Sequence, residues 1–205
     1  MSGYTVIEDC SPYYIRFTHT GLKEFVDYIL EIYNQQNWPL NSSESNPGFR
    51  HCRLPLEIAK TVLEKTPVAK DIELNMHRVS YFTSAPGMKY RAHKDGIDHR
   101  FSLNYTVKIL DDKCVTSWYN DDELKHYPID NIGGVSRECL GFDSSKHTAQ
   151  KTMIAQPNEC ILFNTDIFHS WDNSQSINER IVLTLRSTTP GIVYFDDVKK
   201  VLLGD

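Results

Sequence analysis

His93 and Asp95 are the residues whose types and spacing most directly suggest chemistry. A histidine and a carboxylate two positions apart lie on the same face of an extended strand, so both can reach one metal ion while Lys94 points away. His169 lies far downstream in an apolar stretch and is the candidate third ligand. Two histidines and one carboxylate on one side of a metal leave its other coordination positions open. The three residues therefore predict a metal site that accepts further ligands.

Each of the eight histidines in the chain also has an ordinary interpretation as a surface or hydrogen-bonded structural residue. For His169, which lies between aromatic residues, that alternative is a histidine of the core. Asn173, four residues on, is a candidate for supporting His169 or for contacting a bound co-substrate. His99 lies near a turn and is a candidate for touching substrate, but not for binding metal. The remaining five are interpreted as structural: His19, His51, His77, His126 and His147.

Arg180 is the next residue of interest because it begins a strand-like run. Side chains alternate along a strand, so residues 180, 182, 184 and 186 share one face and the aliphatic residues 181, 183 and 185 share the other. If the aliphatic face packs on the core, two arginines face inward, where a guanidinium is costly unless paired. Arginine binds carboxylates through two parallel hydrogen bonds, so a dicarboxylate ligand would satisfy Arg180. The alternative is a surface salt bridge on an edge strand.

The elements that must position these residues change character along the chain. The first 70 residues predict a strand at 13–18, a helix at 22–36 after a capping Thr20, a loop at 37–50, and a second helix that begins at Pro55 and ends before Pro67. From residue 71 onward, short strand-like runs separated by turn residues replace helical periodicity, as is typical of a sandwich or barrel. These runs are 72–83, 90–93, 101–110, 115–119, 151–155, 160–164, 180–187 and 192–195, with a long irregular segment at 120–150.

Length and composition limit the possible classes of protein. A chain of 205 residues suits one domain, taken as 1–205, with a helix-and-strand flank at 1–70 and a β core at 71–195. A net charge of −5 without a basic block disfavours nucleic acid as a partner. No signal peptide or membrane-spanning run is visible, so we expect a cytoplasmic protein without a membrane partner. Five scattered cysteines, none in a Cys-x-x-Cys pair, disfavour a disulfide framework or a zinc knuckle.

The combination of His93-x-Asp95, His169 and Arg180 resembles the Fe(II)- and 2-oxoglutarate-dependent oxygenase superfamily. The resemblance covers roughly residues 72–187. The spacing from Arg180 to Arg186 is similar to that of AlkB-type members, whereas the run 100–105 is more similar to prolyl and aspartyl hydroxylases. The subfamily therefore stays open. The fold implied is mainly β with flanking α-helices, a double-stranded β-helix of the jelly-roll, cupin-like barrel type.

The resemblance also implies roles for individual residues. His93, Asp95 and His169 would hold Fe(II), 2-oxoglutarate would chelate the iron, and O₂ would be the oxidant. Arg180 would pair with the far carboxylate of 2-oxoglutarate, and Thr184 or Tyr105 would add a hydrogen bond to it. The implied reaction is hydroxylation of an unactivated C–H bond in a small molecule or an amino-acid or peptide side chain. The candidates for the substrate side are Arg100, Trp118, Tyr119 and Arg186.

Two other hypotheses account for the same residues. A cupin-like protein that binds Zn²⁺ or Ni²⁺ would keep the triad, give Arg180 no role, and act as a hydrolase, an isomerase or a non-enzymatic metal protein. A binding module without metal would make all four residues structural. Nothing in the sequence identifies the substrate or the oligomeric state.

Overall fold

The protein is described by a computed structural model that covers residues 3–35, 41–43, 46–95, 100–120, 130–132, 135–137, 147–187, 192 and 194–204. These residues form strands with a few helices. The helices are α1 (Leu22–Gln35), α2 (Leu56–Lys65) and α3 (Phe195–Leu203), with 3₁₀ turns at Pro67–Lys70 and Met76–Arg78. The strands are β1 (Tyr4–Cys10), β2 (Tyr14–His19), β3 (Asn41–Ser43), β4 (Asn46–Arg53), β5 (Ser80–Ser84), β6 (Lys89–His93), β7 (Phe101–Lys108), β8 (Val115–Tyr119), β9 (Asp130–Ile132), β10 (Val135–Arg137), β11 (Lys151–Ile154), β12 (Cys160–Asn164), β13 (Phe168–Asp172) and β14 (Arg180–Leu185).

Two antiparallel sheets face each other and build a jelly roll. The larger sheet has the order β1-β2-β12-β7-β14-β5-β4-β3, and the smaller sheet has the order β11-β8-β13-β6. The strands β9 and β10 pair only with each other. In the centre of the larger sheet and throughout the smaller sheet, neighbouring strands are distant in sequence, as the wound topology of a double-stranded β-helix requires. The predicted fold class is confirmed.

The larger sheet is buried on both faces. Its outer face packs against the helices and forms the main apolar core, in which Phe25 and Val62 meet Leu103, Leu183 and other aliphatic side chains. Its inner face looks toward the smaller sheet across a cavity lined by both sheets. This arrangement explains why β7 is buried along almost its whole length and why its burial does not alternate between the two faces.

The structure corrects several of the predicted elements. The predicted strand at 192–195 ends in α3, whose buried Phe195, Val198 and Leu202 have helical spacing and which ends at Gly204 in the left-handed conformation. The predicted loop at 37–50 contains β3 and most of β4, and the strand predicted from residue 72 begins only at Ser80. The strands β1 and β13 were not predicted. Much of the irregular segment 120–150 lies outside the described residues.

None of the three described helices has both the length and the apolar content needed to cross a lipid bilayer.

Candidate metal centre

The three predicted metal ligands converge at one end of the cavity. His93 ends β6, Asp95 follows two residues later, and His169 lies on the adjacent strand β13, where it pairs directly with His93. One potential ligand atom from each of the three side chains lies within 4.8 Å of the others, and the two imidazole rings are 4.4 Å apart. Both histidines are buried. The antiparallel register thus joins residues that are 76 positions apart in sequence.

A β-bulge in β6 orients His93 into the cavity. His93 pairs with His169, and Tyr90 pairs with Trp171. The three-residue interval from 90 to 93 on β6 therefore lies opposite a two-residue interval on β13, which means that β6 has one extra residue. The extra residue places Tyr90 and His93 on the same side of the strand, with their rings 4.8 Å apart. Bulges next to binding sites commonly redirect a side chain in this way.

The hydrogen bond of His169 determines which of its nitrogens can bind metal. Its Nδ1 lies 2.9 Å from the carbonyl oxygen of Ile167. Because a carbonyl only accepts hydrogen bonds, Nδ1 carries the proton and Nε2 keeps the lone pair for a metal ion. A second hydrogen bond of this kind is the usual way in which proteins orient histidine ligands.

The two oxygens of Asp95 have different neighbours. Oδ1 lies 3.7 Å from His93 Nε2, whereas Oδ2 accepts a hydrogen bond from Arg186 Nη2. Arg186 is itself oriented by donating from Nη1 to the carbonyl of Phe101 at 2.7 Å. The Asp95 and Arg186 side chains are only 8% and 11% exposed, so this pair is shielded from water. Arg186 was predicted to contact substrate; instead it fixes one carboxylate oxygen and leaves the other toward the imidazoles.

Arg180, the first residue of β14, also lines this cavity and precedes Arg186 by six residues. A strand rises by about 3.3 Å per residue, so their backbones are roughly 20 Å apart. Among the described residues, no carboxylate forms an ion pair with Arg180, and its buried Nε has no hydrogen-bond partner. Burial raises the pKa of the Cys114 thiol, and the charge of Arg180 and a side-chain hydrogen bond from it oppose that rise. The alternation predicted for β14 places Arg180, Val182 and Thr184 on the cavity side.

Thr106 is a polar residue near Arg180 that the sequence predictions missed. It is buried on β7, next to Val182 of β14, and its hydroxyl also lacks a partner among the described residues. Two residues before it, Asn104 lines the cavity. Strand alternation therefore places Thr106 on the cavity face, and this spacing was readable in the sequence.

Of the other predicted co-substrate contacts, only Thr184 lines the cavity, and its hydroxyl donates to Asn104 Oδ1 at 2.8 Å. Tyr105 points to the opposite face of β7, where its hydroxyl lies 2.9 Å from that of Thr66 and burial raises its pKa far above the usual range. The prediction that Tyr105 contacts the co-substrate is wrong, because odd-numbered residues of β7 belong to the main core.

Asn173 has a structural position instead of a cavity position. Its buried Nδ2 donates to the carbonyls of Ser84, Ala85 and Asn178 at 3.3, 3.1 and 2.9 Å. These bonds connect the turn before β14 to the turn between β5 and β6. Asn173 therefore supports the strands that carry Arg180 and His93 and contacts neither the cavity nor His169.

The three remaining substrate candidates do not appear among the described residues that line the cavity. Trp118 is fully buried and stacks on Tyr14 with ring centroids 5.0 Å apart. Tyr119 lies on the outer face of the smaller sheet, where its hydroxyl is 2.9 Å from that of Ser170. Arg100 stacks on the ring of Tyr194 at 4.7 Å and pairs with Asp166 at 3.3 Å.

Solved structures with very different sequences share this fold. EvdO2 from Micromonospora carbonacea var. aurantiaca has a TM-score of 0.55 and 11% identity, with 91% of this chain and 87% of that chain covered. The non-heme alpha ketoglutarate dependent epimerase SnoN from nogalamycin biosynthesis has a TM-score of 0.52 and 9% identity, with 96% and 83% covered. A second structure of SnoN, in complex with Fe³⁺, alpha ketoglutarate and nogalamycin RO, has a TM-score of 0.50 and 11% identity, with 92% and 80% covered.

No protein-family model matches the chain, and no curated protein matches its sequence. At 9–11% identity these structures establish the fold alone. The chemistry must therefore be argued from the side chains of this cavity.

Proposed function

We propose that this protein is an Fe(II)- and 2-oxoglutarate-dependent oxygenase. The observation that carries the proposal is one cavity with two complementary ends. One end gathers two imidazoles and a carboxylate, and the other holds a half-buried arginine whose buried Nε has no hydrogen-bond partner among the described residues. Two neutral nitrogens and one carboxylate are the donor set of non-haem Fe(II) sites with open positions. The jelly-roll neighbour SnoN, whose structure contains Fe³⁺ and alpha ketoglutarate, makes the same combination reasonable here.

The residues of the cavity fit both groups. His93, Asp95 and His169 would hold the iron, and Arg186 would keep Asp95 oriented through the hydrogen bond to its second oxygen. Arg180 would pair with the distal carboxylate of 2-oxoglutarate, which would supply the acceptor that its buried Nε lacks among the described residues. Thr106 would donate its unpaired hydroxyl to the same carboxylate. Iron bound with 2-oxoglutarate and O₂ supplies the oxidising power to remove hydrogen from an unactivated C–H bond.

We further propose that the substrate is a small molecule or an amino-acid or peptide side chain and that the outcome is hydroxylation. The apolar walls of the cavity, which include Phe163 and Trp171, would exclude water from the reacting atoms. The name of SnoN, an epimerase, means that hydroxylation cannot be assumed from the fold. A product heavier than the substrate by one oxygen atom is the observation that assigns it.

The decisive experiment measures iron binding and the release of succinate from 2-oxoglutarate without added substrate. In Arg180→Met, which keeps the aliphatic stem, we expect the KM for 2-oxoglutarate to rise roughly 10- to 150-fold, because a hydrogen bond to a charged group contributes about 1.5–3 kcal/mol. Arg53→Met, at an exposed position of β4, is the matched control and should leave the KM unchanged.

The same assay tests the competing function. A cupin-like metal protein would bind a divalent metal through the triad yet release no succinate, and its properties would not depend on Arg180. Metal binding without succinate release, or a KM that is unaffected by Arg180→Met, would contradict the oxygenase proposal.

A further inference from the structure

A row of aromatic rings connects the metal centre to the opposite side of the barrel. The ring of His169 lies 4.8 Å from that of Phe163, and Phe163 lies 4.8 Å from Trp118. Trp118 then stacks on Tyr14 at 5.0 Å with an interplanar angle of 24°. Trp118 is also the direct cross-strand partner of His169. The oxidisable indole therefore lies immediately behind a proposed iron ligand, and a phenol lies immediately behind the indole.

The end of the row at Tyr14 lies close to solvent. Burial, together with the neighbouring Cys10 and Glu8 side chains, raises the pKa of Tyr14, and Cys10 Sγ lies 3.1 Å from Glu8 Oε1. Trp118 and Tyr14 are buried, whereas Cys10 is only half-buried and the Glu8 side chain is 35% exposed. A small molecule in solution can thus approach the far end of the row but not its middle.

The polar contacts along the row favour movement of an electron from Tyr14 toward the metal. Trp118 Nε1 has no hydrogen-bond acceptor among the described residues, so an oxidised indole cannot release its proton and remains a strong oxidant. Tyr14 differs because a carboxylate lies beside its hydroxyl and can take the phenolic proton as the electron leaves. The hydrogen bond from Cys10 lowers the pKa of Glu8, which keeps that carboxylate ionised near neutral pH.

We propose that Phe163, Trp118 and Tyr14 form an escape path for oxidising equivalents that arise when the centre reacts with 2-oxoglutarate and O₂ in the absence of substrate. The inference rests on the proposed function, which supplies the oxidant. Iron bound at His93, Asp95 and His169 would supply two oxidising equivalents in each such cycle. Without an exit, they would attack the buried side chains that surround it.

The redox reaction along this path balances when a low-molecular-weight thiol is the reductant. Each electron that reaches the metal comes from Tyr14 through Trp118, the phenolic O–H bond breaks, and the proton passes to Glu8 and then to solvent. A thiol at the half-buried end returns a hydrogen atom to Tyr14. Two such transfers would deliver two electrons to the metal, two protons taken up from solvent would convert the oxygen atom to water, and the two thiols would end as a disulfide.

The test uses full-length protein grown with ring-deuterated tyrosine. Protein loaded anaerobically with Fe(II) and 2-oxoglutarate is mixed with O₂ without substrate, and frozen samples are examined by electron paramagnetic resonance while succinate is measured in parallel. We expect a radical signal that narrows on tyrosine deuteration. The signal should disappear in Tyr14→Phe, which removes a single hydroxyl, and in Trp118→Phe. It should persist in Tyr28→Phe, a half-buried control on α1.

Peptide mass spectrometry supplies the second readout. Oxygen added to residues around the metal, per succinate formed, should rise several-fold in Tyr14→Phe and Trp118→Phe and stay at the wild-type level in Tyr28→Phe. Succinate release without a tyrosine signal, or a signal that survives Trp118→Phe, overturns the path and leaves the proposed function intact. The absence of succinate in the wild-type protein overturns the proposed function, and the path falls with it.

Discussion

Thr106 illustrates how a buried hydroxyl without a partner can indicate a ligand position. A buried polar group without a hydrogen bond costs about 1–3 kcal/mol, and a bound carboxylate would remove that cost. We expect Thr106→Val to raise the free energy of unfolding of the ligand-free protein by roughly 1 kcal/mol and to weaken 2-oxoglutarate binding about tenfold or more. Urea unfolding and calorimetric titration of the metal-loaded protein measure the two effects.

Thr106→Val is expected to increase the stability of the ligand-free protein but to weaken 2-oxoglutarate binding, and this combination makes the prediction specific. Thr152→Val, at an exposed position of β11, should change neither quantity appreciably. A Thr106→Val protein that is less stable than wild type would indicate that the hydroxyl is already satisfied, and unchanged affinity would remove Thr106 from the co-substrate site.

Arg186 is a second single residue with a predicted effect, because it orients the carboxylate of Asp95. Supporting partners of metal ligands typically contribute 10- to 100-fold to metal affinity. We expect Arg186→Met to weaken Co(II) or Fe(II) binding within that range, because Asp95 loses the donor to Oδ2 and becomes free to rotate. In Arg180→Met the metal affinity should stay close to wild type, since Arg180 lies at the other end of the cavity. Equal losses in both variants would argue against separate roles.

At the scale of elements, Asn173 connects the turns at the closed end of the barrel. Removing its amide leaves the buried carbonyl groups of Ser84, Ala85 and Asn178 without this donor. We expect Asn173→Ala to lower the free energy of unfolding by about 2 kcal/mol or more, as measured by urea titration. Gln175→Ala, an exposed position in the same turn, is the control. If the two variants had similar stability, the connection between these turns would be energetically unimportant.

The sequence predicts some elements well because their local signals agree with their environment. The helix α1 and the strands β8, β12 and β14 lie close to their predicted positions, since each has a clear apolar period or a run of β-branched and aromatic residues. Helix α3 was not predicted, because the β-branched and aromatic run at 192–195 suggested a strand and hid the helical spacing of Phe195, Val198 and Leu202. Polar residues of the predicted loop at 37–50 form the edge strand β3 and most of its neighbour β4, and such residues carry little apolar signal for a strand.

The direction of side chains was harder to predict than the position of strands. For β14 the contrast between arginines and aliphatic residues identified the cavity face. β7 is buried on both faces, but its apolar residues at 101, 103, 105 and 107 alternate with polar residues at 102, 104 and 106, and this alternation already indicates Thr106 and not Tyr105 for the cavity face. The position of Trp118 beneath His169 depends on the pairing of β8 with β13, which no local pattern indicates.

At the scale of the whole molecule, the larger sheet is a shared wall between two environments. Helices and aliphatic side chains cover one face, and the cavity with its arginines and hydroxyls lies against the other. Strands from distant parts of the chain contribute the ligands, so the cavity exists only in the folded protein. Ligands that bind there should therefore stabilise the entire fold.

That coupling gives a prediction about melting temperature. A ligand present at 100 times its dissociation constant stabilises the folded state by about 2.7 kcal/mol, which for a chain of this size corresponds to a shift of roughly 5–10 °C. We expect Co(II) to raise the melting temperature by this order, and 2-oxoglutarate to add a further increase only when Co(II) is present, because it must bridge the metal and Arg180. A chelator should reverse both shifts.

Three variants separate the contributions of Co(II) and of 2-oxoglutarate to the rise in melting temperature. His169→Ala should abolish both shifts, whereas Arg180→Met should keep the Co(II) shift and lose the increase from 2-oxoglutarate. His77→Ala, at an exposed histidine in the 3₁₀ turn before β5, should behave like wild type. A protein that responds to Co(II) but never to 2-oxoglutarate would be a cupin-like metal protein, and one that responds to neither would have no metal site at these residues. The proposed oxygenase requires the ordered pair of shifts because 2-oxoglutarate must contact both the bound metal and Arg180.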